Sequence, residues 1–147
     1  MKNNQKSFSC CVKIEFDAAH RVIGHSGKCK YLHGHRYVLE TTAQSDLLDE
    51  MGMVVDFGIL KSNIKNWIDQ NFDHNAILSK EDKSLGEAVS KITNQKIFYL
   101  PYNPTAENIA YFLKTQIFPE IIYKNTTRNF VISNVKLYET PNCHVIL

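Results

Sequence analysis

The strongest constraint on the fold of this chain is a strand pattern that leads into histidines. Residues 8–16 alternate between apolar and polar side chains, which is typical of a half-buried β-strand, and His20 follows its end. His33 and His35 begin the next extended segment, where side chains two apart project from the same face. A hairpin between the two strands would bring the three imidazoles together. The pattern therefore predicts a strand pair with a histidine cluster at one end.

Three histidines in this arrangement match the ligand set of a catalytic zinc ion. Such sites take three protein ligands and leave a fourth position open for water or substrate, and neutral imidazole keeps the metal Lewis-acidic. We therefore predict that His20, His33 and His35 bind Zn²⁺. The alternative is that they are surface histidines of a loop and a strand, because a His-x-His pair alone is a weak signal.

The composition limits the classes of function. The chain has 147 residues, 44% of them apolar, which suits one domain spanning 1–147 with a core of its own. A net charge of +2 with dispersed lysines does not indicate a nucleic-acid partner. No apolar run approaches the ~20 residues of a membrane span, and the N-terminal residues lack a signal-peptide pattern. We expect a cytoplasmic protein with no membrane partner.

Thiols and cations surround the histidine motif. Cys29 lies in a lysine-rich loop, which is unusual for a packing residue, and a nearby zinc ion would favour its thiolate. We predict a general base, with a fourth structural zinc ligand or a small loop residue as the alternatives. Cys10 and Cys143 are predicted to be ordinary packing residues. Four cations flank the motif and would suit an anionic substrate, although solvated loop side chains are the commoner case: Arg21, Lys28, Lys30 and Arg36.

The remaining segments predict an α+β domain. Strands are predicted over residues 7–18, 34–46 and 129–140, helices over 57–70 and 84–93, a loop over 19–32 and a short apolar run over 97–100. A third helix is predicted to begin with Asn103 as its N-cap and Pro104 as its first residue, and to end at Pro119. The simplest packing places two helices, the first and the last, on one face of an antiparallel sheet.

The order of the motifs resembles that of the 6-pyruvoyltetrahydropterin synthase and 6-carboxytetrahydropterin synthase family. Six segments carry the resemblance: 16–21, 29–35, 52–57, 72–75, 103–108 and 137–140. The resemblance implies a tunnelling fold (T-fold), in which subunits pair their sheets into a β-barrel. It also implies a homohexamer built as a dimer of trimers, with active sites at subunit interfaces and a pterin triphosphate substrate.

Within this family, three residues between the cysteine and His-Gly-His is the spacing associated with the bacterial 6-carboxytetrahydropterin synthases of queuosine and related deazapurine biosynthesis. The resemblance thus implies a zinc-dependent lyase that converts 7,8-dihydroneopterin triphosphate to 6-carboxy-5,6,7,8-tetrahydropterin, acetaldehyde and triphosphate. Two alternatives remain: a synthase that stops at 6-pyruvoyltetrahydropterin, and a non-catalytic oligomeric module whose zinc only fixes the loop. Residues 79–102 form a longer segment than in compact members of the family.

The resemblance also implies roles for individual residues beyond Cys29. Asp73 and His74 match a second catalytic pair, although the pattern alone would predict the turn that ends a helix. Glu139 matches the carboxylate that accepts two parallel hydrogen bonds from the pterin edge. Thr105 and Glu107 match a segment that borders the pterin.

Overall fold

The chain forms a six-stranded mixed sheet with helices on both faces. The structure is a computed structural model and describes residues 6–124 and 129–147. The strands are β1 (Phe8–His20), β2 (His33–Ser45), β3 (Asn75–Ser79), β4 (Ile97–Leu100), β5 (Val131–Thr140) and β6 (Cys143–Ile146). The helices are α1 (Phe57–Asn71), α2 (Lys83–Thr93), α3 (Ala106–Phe112) and α4 (Phe118–Ile121), with 3₁₀ turns at Lys28–Lys30 and Lys80–Asp82.

The β1–β2 hairpin confirms the first two predicted strands. The two strands pair antiparallel over their full length, with His20 opposite His33 and Ala18 opposite His35. β1 runs further than predicted, so the loop begins at residue 21 instead of 19. The reason is that His20 is buried and also pairs with Ile77 of β3 on its other side.

The sheet is mixed, so the prediction of an antiparallel sheet is wrong at one edge. The strand order is β4-β3-β1-β2-β5-β6, and β3 pairs in parallel with both β1 and β4. β3 was not predicted because Ala76, Ile77 and Leu78 are all fully buried, which removes the alternation that marks a half-exposed strand. The apolar run at 97–100 forms β4. The short, largely exposed β6 edge strand was not predicted either.

Helices α1 and α3 cover one face of the sheet, which agrees with the prediction that two helices lie on one face. Their buried side chains join the core cluster that β1, β2 and β5 supply, including Leu60, Ile64, Ile109, Phe16, Leu39 and Leu137. α2, close to its predicted bounds, covers the opposite face at the β3–β4 edge. Its Gly86 lies directly against the ring of Tyr99, whereas Leu100, the next residue of β4, points into the core.

Both predicted ends of the last helix are wrong. The N-cap is Thr105, whose hydroxyl accepts from the backbone N–H of Asn108 at 3.3 Å, so α3 begins two residues after Pro104. Pro119 does not end the helical segment. A π-turn at Leu113–Ile117 shifts the backbone hydrogen bonds, and Pro119 then falls in the first turn of α4, where its missing N–H is tolerated.

The sheet face opposite α1 and α3 is open across β1 and β2. Arg36 lies on this face, donating from Nε to Glu15 at 2.9 Å and from a terminal nitrogen to Asp17 at 3.1 Å. Assembly of this face into a β-barrel stays a prediction. In the described parts of the chain, no helix combines the length and the apolar character needed to cross a membrane.

Candidate metal centre and adjoining cavity

The three predicted histidines meet at the loop end of the β1–β2 hairpin. His20 and His33 are cross-strand neighbours, and His35 lies one pleat further along the same face. One ligand nitrogen of each imidazole lies within 4.8 Å of the others. The alternative of unrelated surface histidines does not describe this geometry, because the side chain of His20 is only 1% exposed.

Backbone carbonyls set the tautomers of two of these histidines. His20 donates from Nδ1 to the carbonyl oxygen of Pro104 at 2.7 Å, and His33 donates from Nδ1 to that of Tyr31 at 2.7 Å. A carbonyl oxygen can only accept, so each Nδ1 carries a proton, and in the neutral imidazole each Nε2 then presents a lone pair. This carbonyl contact is the usual outer partner of a metal-binding imidazole.

The two Nε2 atoms fit a shared cation. They lie 3.1 Å apart, and with both protons on Nδ1 neither atom can donate to the other. Facing lone pairs at this distance repel each other unless a positive ion lies between them. Two tetrahedral zinc ligands with Zn–N bonds of ~2.0–2.1 Å stand roughly 3.3 Å apart, close to the observed separation. The chemistry and spacing of the donors therefore suit a zinc ion.

Burial favours the neutral form of two of the three imidazoles, those of His20 and His35. It lowers the pKa of His20 below the ordinary value of 6.5, and the opposing effects of the Pro104 carbonyl and the Glu139 charge do not cancel it. Burial likewise lowers the pKa of His35. The ring of Tyr37 closes the cluster from the core side, with ring centroids 5.9 Å from His20 and 5.7 Å from His35. The neutral imidazole is the form that binds metal.

A cavity of about 260 Å³ opens beside the histidines and brings four more predicted residues together with His20: Cys29, Thr105, Glu107 and Glu139. Cys29 lies in the 3₁₀ turn Lys28–Lys30, and Thr105 and Glu107 lie at the start of α3. Glu139, near the end of β5, has Oε1 3.5 Å from Nε2 of His20 and is 28% exposed. The cavity therefore combines a thiol, two carboxylates and the imidazole of His20.

Asp73 and His74 lie elsewhere, on the open face of the sheet. They occupy the turn between α1 and β3, which agrees with the predicted helix-ending turn. His74 is 78% exposed and lines a separate cavity of about 420 Å³ with Asp17, Arg36 and Gln95. Within one chain the pair does not reach the cavity that holds Cys29.

Asp73 and His74 nevertheless form a hydrogen-bonded pair. Nδ1 of His74 lies 3.0 Å from Oδ2 of Asp73, and His74 has a backbone φ of 57°. Burial would raise the pKa of Asp73, but hydrogen bonds from the Asp17 N–H and from His74 outweigh it and hold that pKa below its usual value. An ionised carboxylate therefore orients the imidazole and leaves Nε2 open to the surroundings.

The four flanking cations do not gather at the histidines. Lys28 and Lys30 are exposed, as is common for loop lysines, while Arg21 is paired with Asp82 and Arg36 lies on the open face with Glu15. One prediction about a neighbouring residue is wrong. Cys143 is not a packing residue, since it is exposed at the start of β6 and lines the same cavity as Cys29.

Sequence reasoning also gave no role to His25 and His144, which line that cavity too. His144 reaches it because β6 folds back onto β5 opposite Tyr138. Nothing in the pattern around His144 marks that pairing.

Comparisons with known proteins show which family this chain is similar to. A family model described as 6-pyruvoyl tetrahydropterin synthase matches residues 9–147. The 6-carboxy-5,6,7,8-tetrahydropterin synthase of Rickettsia felis is 54% identical over 136 residues, covering 92% of this chain and 96% of the relative. The protein of the same name from Haemophilus influenzae is 34% identical over 140 residues, covering 91% and 94%. A 6-pyruvoyl tetrahydropterin synthase structure from Plasmodium vivax superimposes with a TM-score of 0.72 over 97% of each chain at 20% identity, a likeness of fold.

Proposed function

The chain belongs to the 6-pyruvoyl tetrahydropterin synthase family, and on that premise we propose that it is a zinc-dependent lyase acting on 7,8-dihydroneopterin triphosphate. The proposed products are 6-carboxy-5,6,7,8-tetrahydropterin, acetaldehyde and triphosphate, and the atoms balance when one water is consumed. The observation that carries the proposal is the single cavity shared by His20, Cys29 and Glu139. The names of the relatives and the three residues between Cys29 and His33 support the carboxy branch, and with it queuosine or related deazapurine biosynthesis.

His20, His33 and His35 are the proposed zinc ligands. Their support is the lowered pKa of His20 and His35, the carbonyl partners on Nδ1 of His20 and His33, and the close approach of two Nε2 atoms. A zinc ion bound there supplies Lewis acidity to the vicinal side-chain oxygens of the substrate, which makes the adjacent C–H more acidic. His20 also lines the cavity, where the substrate side chain would lie.

Cys29 is the proposed general base, because its thiol lines the cavity next to the histidines. As thiolate it would take the proton from the substrate side-chain carbon. The carboxylate of Glu139 would accept hydrogen bonds from the 2-amino group and N3–H of the pterin, which fixes the ring and aims its side chain at the metal centre. Thr105 accepts a hydrogen bond from the Asn108 N–H, so its own hydroxyl proton remains to be donated to the ring, and Glu107 borders the same space.

Asp73 and His74 are proposed to act in the active site of a neighbouring copy. The support is their position: the imidazole is 78% exposed on the open sheet face, on the side away from the Cys29 cavity. With Nδ1 turned toward Asp73, Nε2 of His74 would exchange a proton with the substrate or with the thiol across the interface. A homohexamer built as a dimer of trimers, with interfacial active sites, would bring His74 of one copy to the active site of its neighbour.

Product analysis by mass spectrometry tests the proposed reaction. Zinc-loaded protein incubated with 7,8-dihydroneopterin triphosphate should form 6-carboxytetrahydropterin and acetaldehyde. Cys29→Ala should keep its zinc and lose most turnover, whereas Cys11→Ala, a thiol exposed on β1, should match the wild type. A pyruvoyl product would move the chain to the other branch of the family. Bound zinc without any turnover would favour the non-catalytic module.

Subunit mixing tests the shared site. Cys29→Ala and His74→Ala should each be inactive alone. Mixed one to one under conditions that exchange subunits, they should recover about a quarter of the wild-type turnover, because a quarter of random interfaces pair two unaltered contributors. No recovery in oligomers shown to be mixed would refute the interfacial role of His74.

A further inference from the structure

The side chain of Asn103 holds the backbone of the loop that carries Cys29. Its Oδ1 accepts from the N–H of Ile23 at 2.9 Å, and its Nδ2 donates to the carbonyl oxygen of the same residue at 2.9 Å. A side-chain amide that satisfies both backbone groups of one residue acts as a strand neighbour would. The two residues are 80 positions apart, so this contact joins two distant segments.

Val22, the residue before Ile23, connects this contact to Cys29 through a backbone hydrogen bond. The N–H of Val22 donates to the carbonyl oxygen of Cys29 at 2.8 Å, which closes the loop across its base. Residues 24–28 are all exposed, so hydrophobic packing does not fix this part of the loop. The position of the thiol therefore depends on a short chain of hydrogen bonds that begins at Asn103.

The same segment also orients the metal centre. The carbonyl oxygen of Pro104, the next residue, accepts from Nδ1 of His20 at 2.7 Å. The carbonyl oxygen of Asn103 accepts from the N–H of Thr105 at 2.9 Å and from the side chain of Asn108 at 2.9 Å, which ties the segment to the start of α3. One rigid dipeptide thus contacts both a proposed zinc ligand and the loop that carries the thiol.

We propose that Asn103 is a positioning residue that sets the distance between the Cys29 thiol and the three-histidine centre. The proposal deepens the proposed lyase function and rests on it. Proton transfer requires the base within about 3 Å of its target, and a misplacement of about 1 Å can cost roughly 100-fold in rate. A role as the helix N-cap does not account for Asn103, because Thr105 caps α3.

The test compares Asn103→Ala and Asn103→Asp with the wild type. The alanine variant removes both bonds to Ile23, and the isosteric aspartate keeps the acceptor for the N–H but turns a carboxylate toward the carbonyl. Asn71→Ala is the matched control, because it also removes an amide that donates to a backbone carbonyl, that of Trp67 in α1. Three quantities are measured: kcat and KM, zinc per chain, and the rate of Cys29 alkylation by iodoacetamide, followed by peptide mass spectrometry.

We expect both Asn103 variants to lose about 100-fold in kcat with little change in KM or in zinc content. Alkylation of Cys29 should become several-fold faster, because the loop is no longer held, while Asn71→Ala behaves as the wild type. A kcat close to that of the control, or a loss of zinc in proportion to activity, would overturn the proposal.

The alkylation rate also separates this proposal from the proposed function. If the wild type shows no turnover, the lyase assignment fails. Faster alkylation of Cys29 in the Asn103 variants would still support Asn103 as the residue that holds the loop, and unchanged alkylation would overturn that role. If Asn103→Ala does not fold, the isosteric Asn103→Asp carries the same comparison.

Discussion

Arg21, the residue after the proposed zinc ligand His20, is held by a buried carboxylate whose removal should be costly. Asp82 is 3% exposed, and its two oxygens accept from Nε and a terminal nitrogen of Arg21 at 2.5 Å each. The side chain of Asp82 does not cap α2, so the variant Asp82→Ala removes the ion pair without removing a helix cap.

The cost of Asp82→Ala follows from how much of each partner is buried. One hydrogen bond to a charged group contributes ~1.5–3 kcal/mol, and breaking a fully buried pair costs ~3–5 kcal/mol. The side chain of Arg21 is 34% exposed, so its guanidinium can recover part of its hydration. We therefore expect a loss of about 2–3 kcal/mol in the free energy of unfolding, or about 5–10 °C in Tm for a chain of this size.

Urea unfolding of the metal-free protein, followed by the fluorescence of the single tryptophan, Trp67, measures this loss. The matched control is Asp69→Ala, which breaks the exposed pair between Lys65 and Asp69 in α1 and should cost less than ~0.5 kcal/mol. A double-mutant cycle with Arg21→Met isolates the pair itself. Equal losses in Asp82→Ala and Asp69→Ala would refute the reasoning from burial.

The remaining predictions concern the metal and pH. Zinc should raise the Tm of the wild type and of Cys29→Ala but not of His33→Ala. At a zinc concentration 100 times the Kd, the added stability is ~2.7 kcal/mol. Loss of this effect in Cys29→Ala would instead indicate a closed four-ligand site. Metal-free protein should become less stable between pH 7 and pH 5, because burial lowers the pKa of His20 below 6.5 and the unfolded chain binds the proton more tightly. Urea midpoints at the two pH values check this, and His20→Gln should flatten the dependence; a constant wild-type midpoint would contradict it.

The hairpin and its histidines could be predicted because their signals are local. Alternation along β1 and the two-residue spacing of His33 and His35 are enough to place imidazoles on one face. β3 could not be predicted, because a strand buried on both faces shows no alternation. The role of Asn103 was also out of reach, since a good N-cap residue looks the same whether its side chain caps a helix or bonds a loop far away in the sequence.

The residues of the cavity show the same division. Cys29, Thr105 and Glu139 carry motif signals that the resemblance could use, and the structure brings them together. His144 carries none, because it reaches the cavity only through the pairing of β6 with β5. Ion-pair partners on other elements, not sequence proximity, decide where the long side chains of Arg21 and Arg36 lie.

The origin of the three proposed zinc ligands in one hairpin has a consequence for how the histidine cluster is assembled during folding. All three histidines are present once residue 35 has been synthesised, and they meet through local pairing, which forms fast. The carbonyl of Pro104, 84 residues after His20, arrives much later and through a non-local contact. A metal captured by the early hairpin would stabilise it before the rest of the sheet exists, and the final orientation of His20 would be completed only when α3 docks.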